Sequence, residues 1–178
     1  MLPVALRKIA DEIDSARATL LEGVKGVPQR RAEWRSAAGE WSICETLDHL
    51  IRAEAGCGRL VAALAKQGRP PYPRDVTEFA WTPPTAAGQR WLVPVPDVAA
   101  PGPVQPIEHL VEGLRAQDQW TTKALERLTE VDPRAATAPH PIIGPMNLAQ
   151  WCRFIAYHLR VHTAQVEEIK RAPGFLGR

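Results

Sequence analysis

Apolar residues recur at steps of three and four in four stretches of the chain, the spacing that lines one face of a helix. Leu6, Ile9, Ile13, Ala16 and Leu20 form the first stripe and predict a helix from Leu2 to about Glu22. Arg7, Lys8, Asp11, Glu12 and Arg17 fall largely off it. A polar, arginine-rich link follows, from Gly23 to Gly39. The second stripe is Ile43, Leu47, Leu50, Ile51, Val61 and Leu64. Ser42-Ile43-Cys44-Glu45 supplies its start: in such a capping box the Ser and Glu side chains satisfy each other's orphan amides. Trp41 stands where a hydrophobic staple belongs, and Gly68 and Pro70 end the helix. The third stripe, after Pro106, is Ile107, Leu110, Val111, Leu114, Leu125 and Leu128, stopped by Asp132-Pro133. The fourth, after Asn147 with Gln150 three residues on, is Leu148, Trp151, Ile155, Leu159, Val166 and Ile169. Arg153, Arg160, Glu167 and Arg171 lie opposite, and Pro173-Gly174 closes the helix. No stretch carries a convincing strand alternation. The predicted fold is all-α, a four-helix bundle.

Proline changes the picture at one place. The chain has 17 prolines in 178 residues, against about 9 at ~5% usage. Ten of them lie within residues 69–106, which therefore cannot be helix. This is a long Pro-rich crossover between the second and third helices, and connections of such length are usually functional or disordered. Trp81 and Trp91 within it favour packing on the body, either closing over a pocket or pinning the connection. The length fits one domain, residues 1–178.

Charge and cysteine narrow the function classes. Net charge is +2 with both signs interspersed, which argues against a dedicated nucleic-acid binder. No apolar run reaches the length of a membrane span, and charges at Arg7, Lys8, Asp11 and Glu12 interrupt any signal-peptide core. Cys44, Cys57 and Cys152 are odd in number and far apart, so a disulfide framework is not expected and a reducing cytoplasm is. They read as small core residues rather than catalytic thiols.

Candidate chemistry sits with the histidines. At about 100° per residue from Leu148, His162 falls near 320° and His158 near 280°, inside and on the edge of the apolar stripe. Inward imidazoles must find partners. Their i, i+4 spacing also lets two rings reach one metal ion, although Leu159 after the first His excludes the zincin motif. His49, beside the small residues Ala53 and Gly56, is the best third ligand. Three neutral imidazoles leave coordination positions open, the catalytic arrangement, but imidazole alone does not choose among Zn, Ni, Cu and Fe. Glu54 and Asp118 read as inward carboxylates that either orient a metal-bound His or pair with arginine. Gln165, one turn past His162, could contact metal-bound water or a neighbouring helix. His109 reads as exposed or at a boundary, and His140 as part of a turn-rich loop or a pocket wall.

Two segments carry a family resemblance. Trp41-Ser42-Ile43-Cys44-Glu45-Thr46-Leu47-Asp48-His49-Leu50 resembles the W-S-x-x-E-x-L-x-H-L opening of the second helix in the DinB-like (DinB/YfiT-like) superfamily. His140-Pro141 through Gly144, then Trp151 and His158-x-x-x-His162-x-x-Gln165, resembles that superfamily's H-P-x-x-G loop and H-x-x-x-H-x-x-Q final helix. Residues 69–106 depart from its usual pattern. The resemblance implies a four-helix bundle with a long crossover, and a divalent metal, nickel or zinc, on His49, His158 and His162. It also implies a homodimer and a small-molecule substrate. Three functions stay open. One is a transferase using a low-molecular-weight thiol, activated as thiolate at the metal. The second is an amidase- or esterase-like hydrolase using metal-bound water. The third is a non-catalytic metal- or ligand-binding bundle.

Overall fold

The computed structural model describes residues 1–37, 39–67, 70–83 and 95–175. Gly68, Arg69, Gly88 and Trp91 lie outside the described residues. All four long helices form where the apolar stripes place them: α1 (Val4–Val24), α3 (Ile43–Ala65), α4 (Ile107–Arg127) and α5 (Leu148–Arg171). A one-turn helix, α2 (Gln29–Ala32), interrupts the polar link after Pro28. Both capping boxes are present, Ser42 with Glu45 and Asn147 with Gln150. Arg35 holds the Glu45 carboxylate from outside. At the end of α1, Gly26 takes φ +71°, a left-handed conformation that costs glycine nothing.

Each stripe meets the others in one core, where Leu6, Ile13, Leu20, Ile43, Leu47, Leu114 and Leu128 are wholly excluded from solvent. Around the bundle α1 borders α5 and α4, while α3 borders α4 and α5. The direction of α3 and α4 follows from their contacts. Gly102, just before α4, bonds Asp48 early in α3. Thr121, late in α4, bonds Glu54 further along α3. The two helices therefore run parallel. A 23-residue helix is about 35 Å long, and the chain must travel back along that length before α4 begins. This is why the connection is long.

The crossover is anchored on both described sides. Asp132 N–H donates to the Pro70 carbonyl at 2.7 Å. Phe79 is buried, and its carbonyl accepts from Arg153. Trp81 meets Tyr157 of α5 edge-on, with centroids 5.7 Å apart, so it pins the connection to the body. A single 3₁₀ turn, Asp97–Ala99, precedes α4.

Two expectations need correction. The loop before α5 contains a small antiparallel hairpin, β1 (Thr137–His140) with β2 (Gly144–Asn147). Pro139 and Pro145 erased its sequence signal, and they are tolerated because both strands are edges. Arg17 is buried, not off the stripe. Its guanidinium lies between α1, α3 and α4, paired with Glu54 and Thr121.

Candidate metal centre

His49 sits in the second turn of α3, and His158 and His162 sit on successive turns of α5. The fold brings the three rings together at the seam of these helices. His49 Nε2 lies 3.1 Å from His158 Nε2, and His162 Nε2 lies 3.0 Å from the same atom. The three ligand atoms all fall within 4.8 Å of one another. Two nitrogens about 2.1 Å from one ion, at octahedral to tetrahedral angles, stand about 3.0–3.4 Å apart.

The outer nitrogens decide what the inner ones can do. His49 Nδ1 faces the Ala99 carbonyl at 2.7 Å, so it carries the proton and Nε2 is a lone pair. His162 Nδ1 donates to Gln165 Oε1 at 2.7 Å, which leaves its Nε2 a lone pair as well. Both lone pairs aim at His158 Nε2. One neutral imidazole has a single N–H there and cannot serve two acceptors. Burial holds the His49 pKa below the usual imidazole range, and burial plus the neighbouring rings holds His158 well below it. Double protonation is therefore resisted. A cation held between three lone pairs removes the conflict, and hydrogen-bonded outer nitrogens are the usual support of metal-binding histidines.

Aromatic rings wall the trio. Trp41 stacks on His162 with centroids 6.3 Å apart and approaches His49 at 4.8 Å. Phe154 stacks on His158 at 5.0 Å. One side stays open to a cleft of about 970 Å³, lined among others by Leu60, Val98, His140, Phe154, Tyr157 and Val161. His140 is a pocket wall as well as a loop residue. Its Nδ1 accepts from the Ile142 and Ile143 amides, and its ring contacts Phe154. Gly144 closes that turn at φ +88°. His109 is exposed on α4.

The carboxylates resolve differently from one another. Glu54 pairs with Arg17 and Thr121, not with a histidine, and burial raises its pKa. The Asp118 side chain is 57% exposed and reaches Arg17 only at its edge, so it is not inward. Gln165 orients His162. No cysteine is primed: burial pushes Cys44 up to about 11, and Cys57 and Cys152 to about 12.

Three contributors escaped sequence reasoning. Ala99 acts through its carbonyl, which has no side-chain signature. Trp41 serves the site as well as the helix start. Asp48 is buried and accepts from Arg52 Nε at 2.8 Å and Gly102 N–H at 2.7 Å, so it ties the crossover to α3 beside His49. Its position directly before His49 was the available signal.

A bundle with a three-histidine seam facing an open cleft defines a class of metal-binding helical proteins. The DinB superfamily model matches residues 12–166, and the chain belongs to that family. It is similar to a protein of Bacillus subtilis (strain 168) described as uncharacterized protein YuaE. The two are 26% identical over 163 residues, covering 88% of this chain and 94% of the relative. No solved structure gives a significant match. Among the described residues, no helix is long and apolar enough to cross a membrane.

Proposed function

We propose that the chain is a metal-dependent enzyme whose His49, His158 and His162 hold a divalent cation, zinc or nickel, and which transfers a low-molecular-weight thiol onto a small-molecule electrophile. The observation that carries this is the convergence of three imidazole nitrogens on one point at the wall of an open cleft. A closed structural site would leave no such opening. When bound, the cation favours thiolate over thiol and so supplies the nucleophile at neutral pH. The residues of the chain do the rest. Ala99 and Gln165 fix the ring orientations of His49 and His162. Trp41 and Phe154 pack on the rings of His162 and His158 and narrow the access of water to the trio. The apolar cleft receives the electrophile. The raised pKa values of all three cysteines favour an external thiol over a protein one.

The test pairs metal analysis with turnover. Purified protein is expected to carry about one zinc or nickel per chain, and His162→Ala to lose it. A panel of low-molecular-weight thiols with a chromogenic electrophile is expected to show conjugation that requires both thiol and metal. Full metal occupancy in His162→Ala would sink the ligand assignment. Turnover unaffected by omitting thiol would replace transfer with hydrolysis.

A further inference from the structure

The cleft that opens on the three histidines is mostly apolar. Among its described lining residues there is one arginine, Arg52, and no lysine. Arg52 follows His49 by three residues on α3, so the two side chains are neighbours on one helix face, with Cβ atoms about 5–6 Å apart. Ala53 and Gly56 on the same face leave the space in front of them open.

Arg52 is not a loose surface charge. Its Nε donates to Asp48 Oδ2 at 2.8 Å. Asp48 is itself 7% exposed and is held by the Gly102 amide at 2.7 Å and by Gln105 Nε2 at 3.4 Å. The guanidinium then brings its Nη2 end up to the crossover backbone at Gly102. A Cβ built on Gly102 would stand 2.5 Å from Arg52 Nη2. Nε of the guanidinium is therefore engaged by Asp48, the head is positioned where glycine gives it room, and the side chain, which lines the cleft, stays 40% exposed. A guanidinium held in this way offers its remaining N–H groups as a fixed fork, the geometry that matches a carboxylate.

We propose that this cleft takes a small organic acid. Its apolar or aromatic body lies against Phe154, Leu60 and Val161, and its carboxylate is bound by Arg52, with the reacting atom turned to the three imidazoles. The proposal rests on the reading of the same cleft as a substrate site and names the substrate class. The anion is a carboxylate rather than a phosphate on charge grounds. Asp48 already balances Arg52, and the described lining provides no second cationic side chain for a dianion.

The test uses the full chain stripped of metal with EDTA, so that a carboxylate cannot bind by ligating the ion. Phenylacetate and its neutral isostere phenylacetamide are titrated by NMR chemical-shift perturbation. Phenylacetate is expected to bind at least about 10-fold more tightly, the scale of a charge-assisted hydrogen bond. Arg52→Gln is expected to abolish that preference, while Arg52→Lys keeps part of it as a point charge without the fork. Gly102→Ala, which retains the charge and the amide but displaces Nη2, is expected to weaken phenylacetate binding several-fold. The metal content of Gly102→Ala is expected to stay unchanged. Equal affinity for acid and amide, a preference that survives Arg52→Gln, or no binding of either probe overturns the proposal. Inorganic phosphate competing as well as phenylacetate overturns the carboxylate assignment. Loss of the metal reading alone leaves these results standing, because no arm of the titration contains metal.

Discussion

Replacing Arg17 with Met puts a number on the buried ion pair behind the site. Arg17 and Glu54 are 4% and 5% exposed. Arg17 Nη2 donates to Glu54 Oε1, which also accepts from the Thr121 hydroxyl. Yet Arg17 Nε and Glu54 Oε2 lack partners among the described residues. Removing one member of a buried pair costs about 3–5 kcal/mol, because the other charge is left without compensation. In a chain of this size 1 kcal/mol moves Tm by about 2–4 °C, so Arg17→Met is expected to lower Tm by about 6–20 °C. Glu54 already has its pKa raised above 4.5, first by burial and against the pull of Arg17. Without Arg17 it rises further. A carboxyl raised in the folded state favours folding at low pH and loses that contribution as pH climbs through its folded value. The deficit of Arg17→Met should therefore be largest at pH 8 and shrink toward pH 4.5. The double variant Arg17→Met, Glu54→Leu removes both charges and both orphan atoms. It is expected to lie within about 1 kcal/mol of the parent, or above it. Urea unfolding of the three proteins at both pH values measures this. A single variant within about 1 kcal/mol of the parent at pH 8 would refute the reasoning, as would a double variant no better than the single one.

Three further outcomes follow from the same geometry. In EDTA, the protein should lose stability as pH falls below about 6.5, since His49 and His158 are held neutral when folded while the unfolded chain takes up protons; His158→Ala should flatten that slope in urea melts between pH 8 and 5. Iodoacetamide should label none of the three cysteines at neutral pH in the folded protein and all three in urea, because each is buried with its pKa raised; rapid labelling of Cys57 before unfolding would contradict this. Ser42→Ala removes the acceptor for the Glu45 amide and should cost about 1 kcal/mol, read as a fall of about 2–4 °C in Tm.

Local signals carried furthest from sequence to structure. Ser42, Glu45, Asn147 and Gln150 act within one turn, so spacing alone identifies them. The apolar stripes fixed four helices because only one face of each can meet the core. The inward direction of His158 and His162 came from that same periodicity. What failed was what depends on partners far along the chain. Arg17 looked like a surface charge until Glu54 and Thr121 gave its head somewhere to go inside the bundle. The hairpin at Thr137–Asn147 was hidden because prolines replaced its alternation. Arg52 had no signal of its own, since its role comes from Asp48 on one side and the backbone of Gly102 on the other. Ala99 contributes a carbonyl that any residue could supply.

The histidines also stand far apart in sequence, with His158 109 positions after His49. Closing a loop of about that length in a free chain costs about 4–5 kcal/mol in the chain-entropy account. Contacts of α5 with α1 and α3 hold that loop closed. An excised α5 would keep the His158–His162 pair but hold only a two-toothed chelate. The third tooth exists only in the assembled bundle, so chelating strength at this seam is a direct readout of whether the two ends of the chain have found each other.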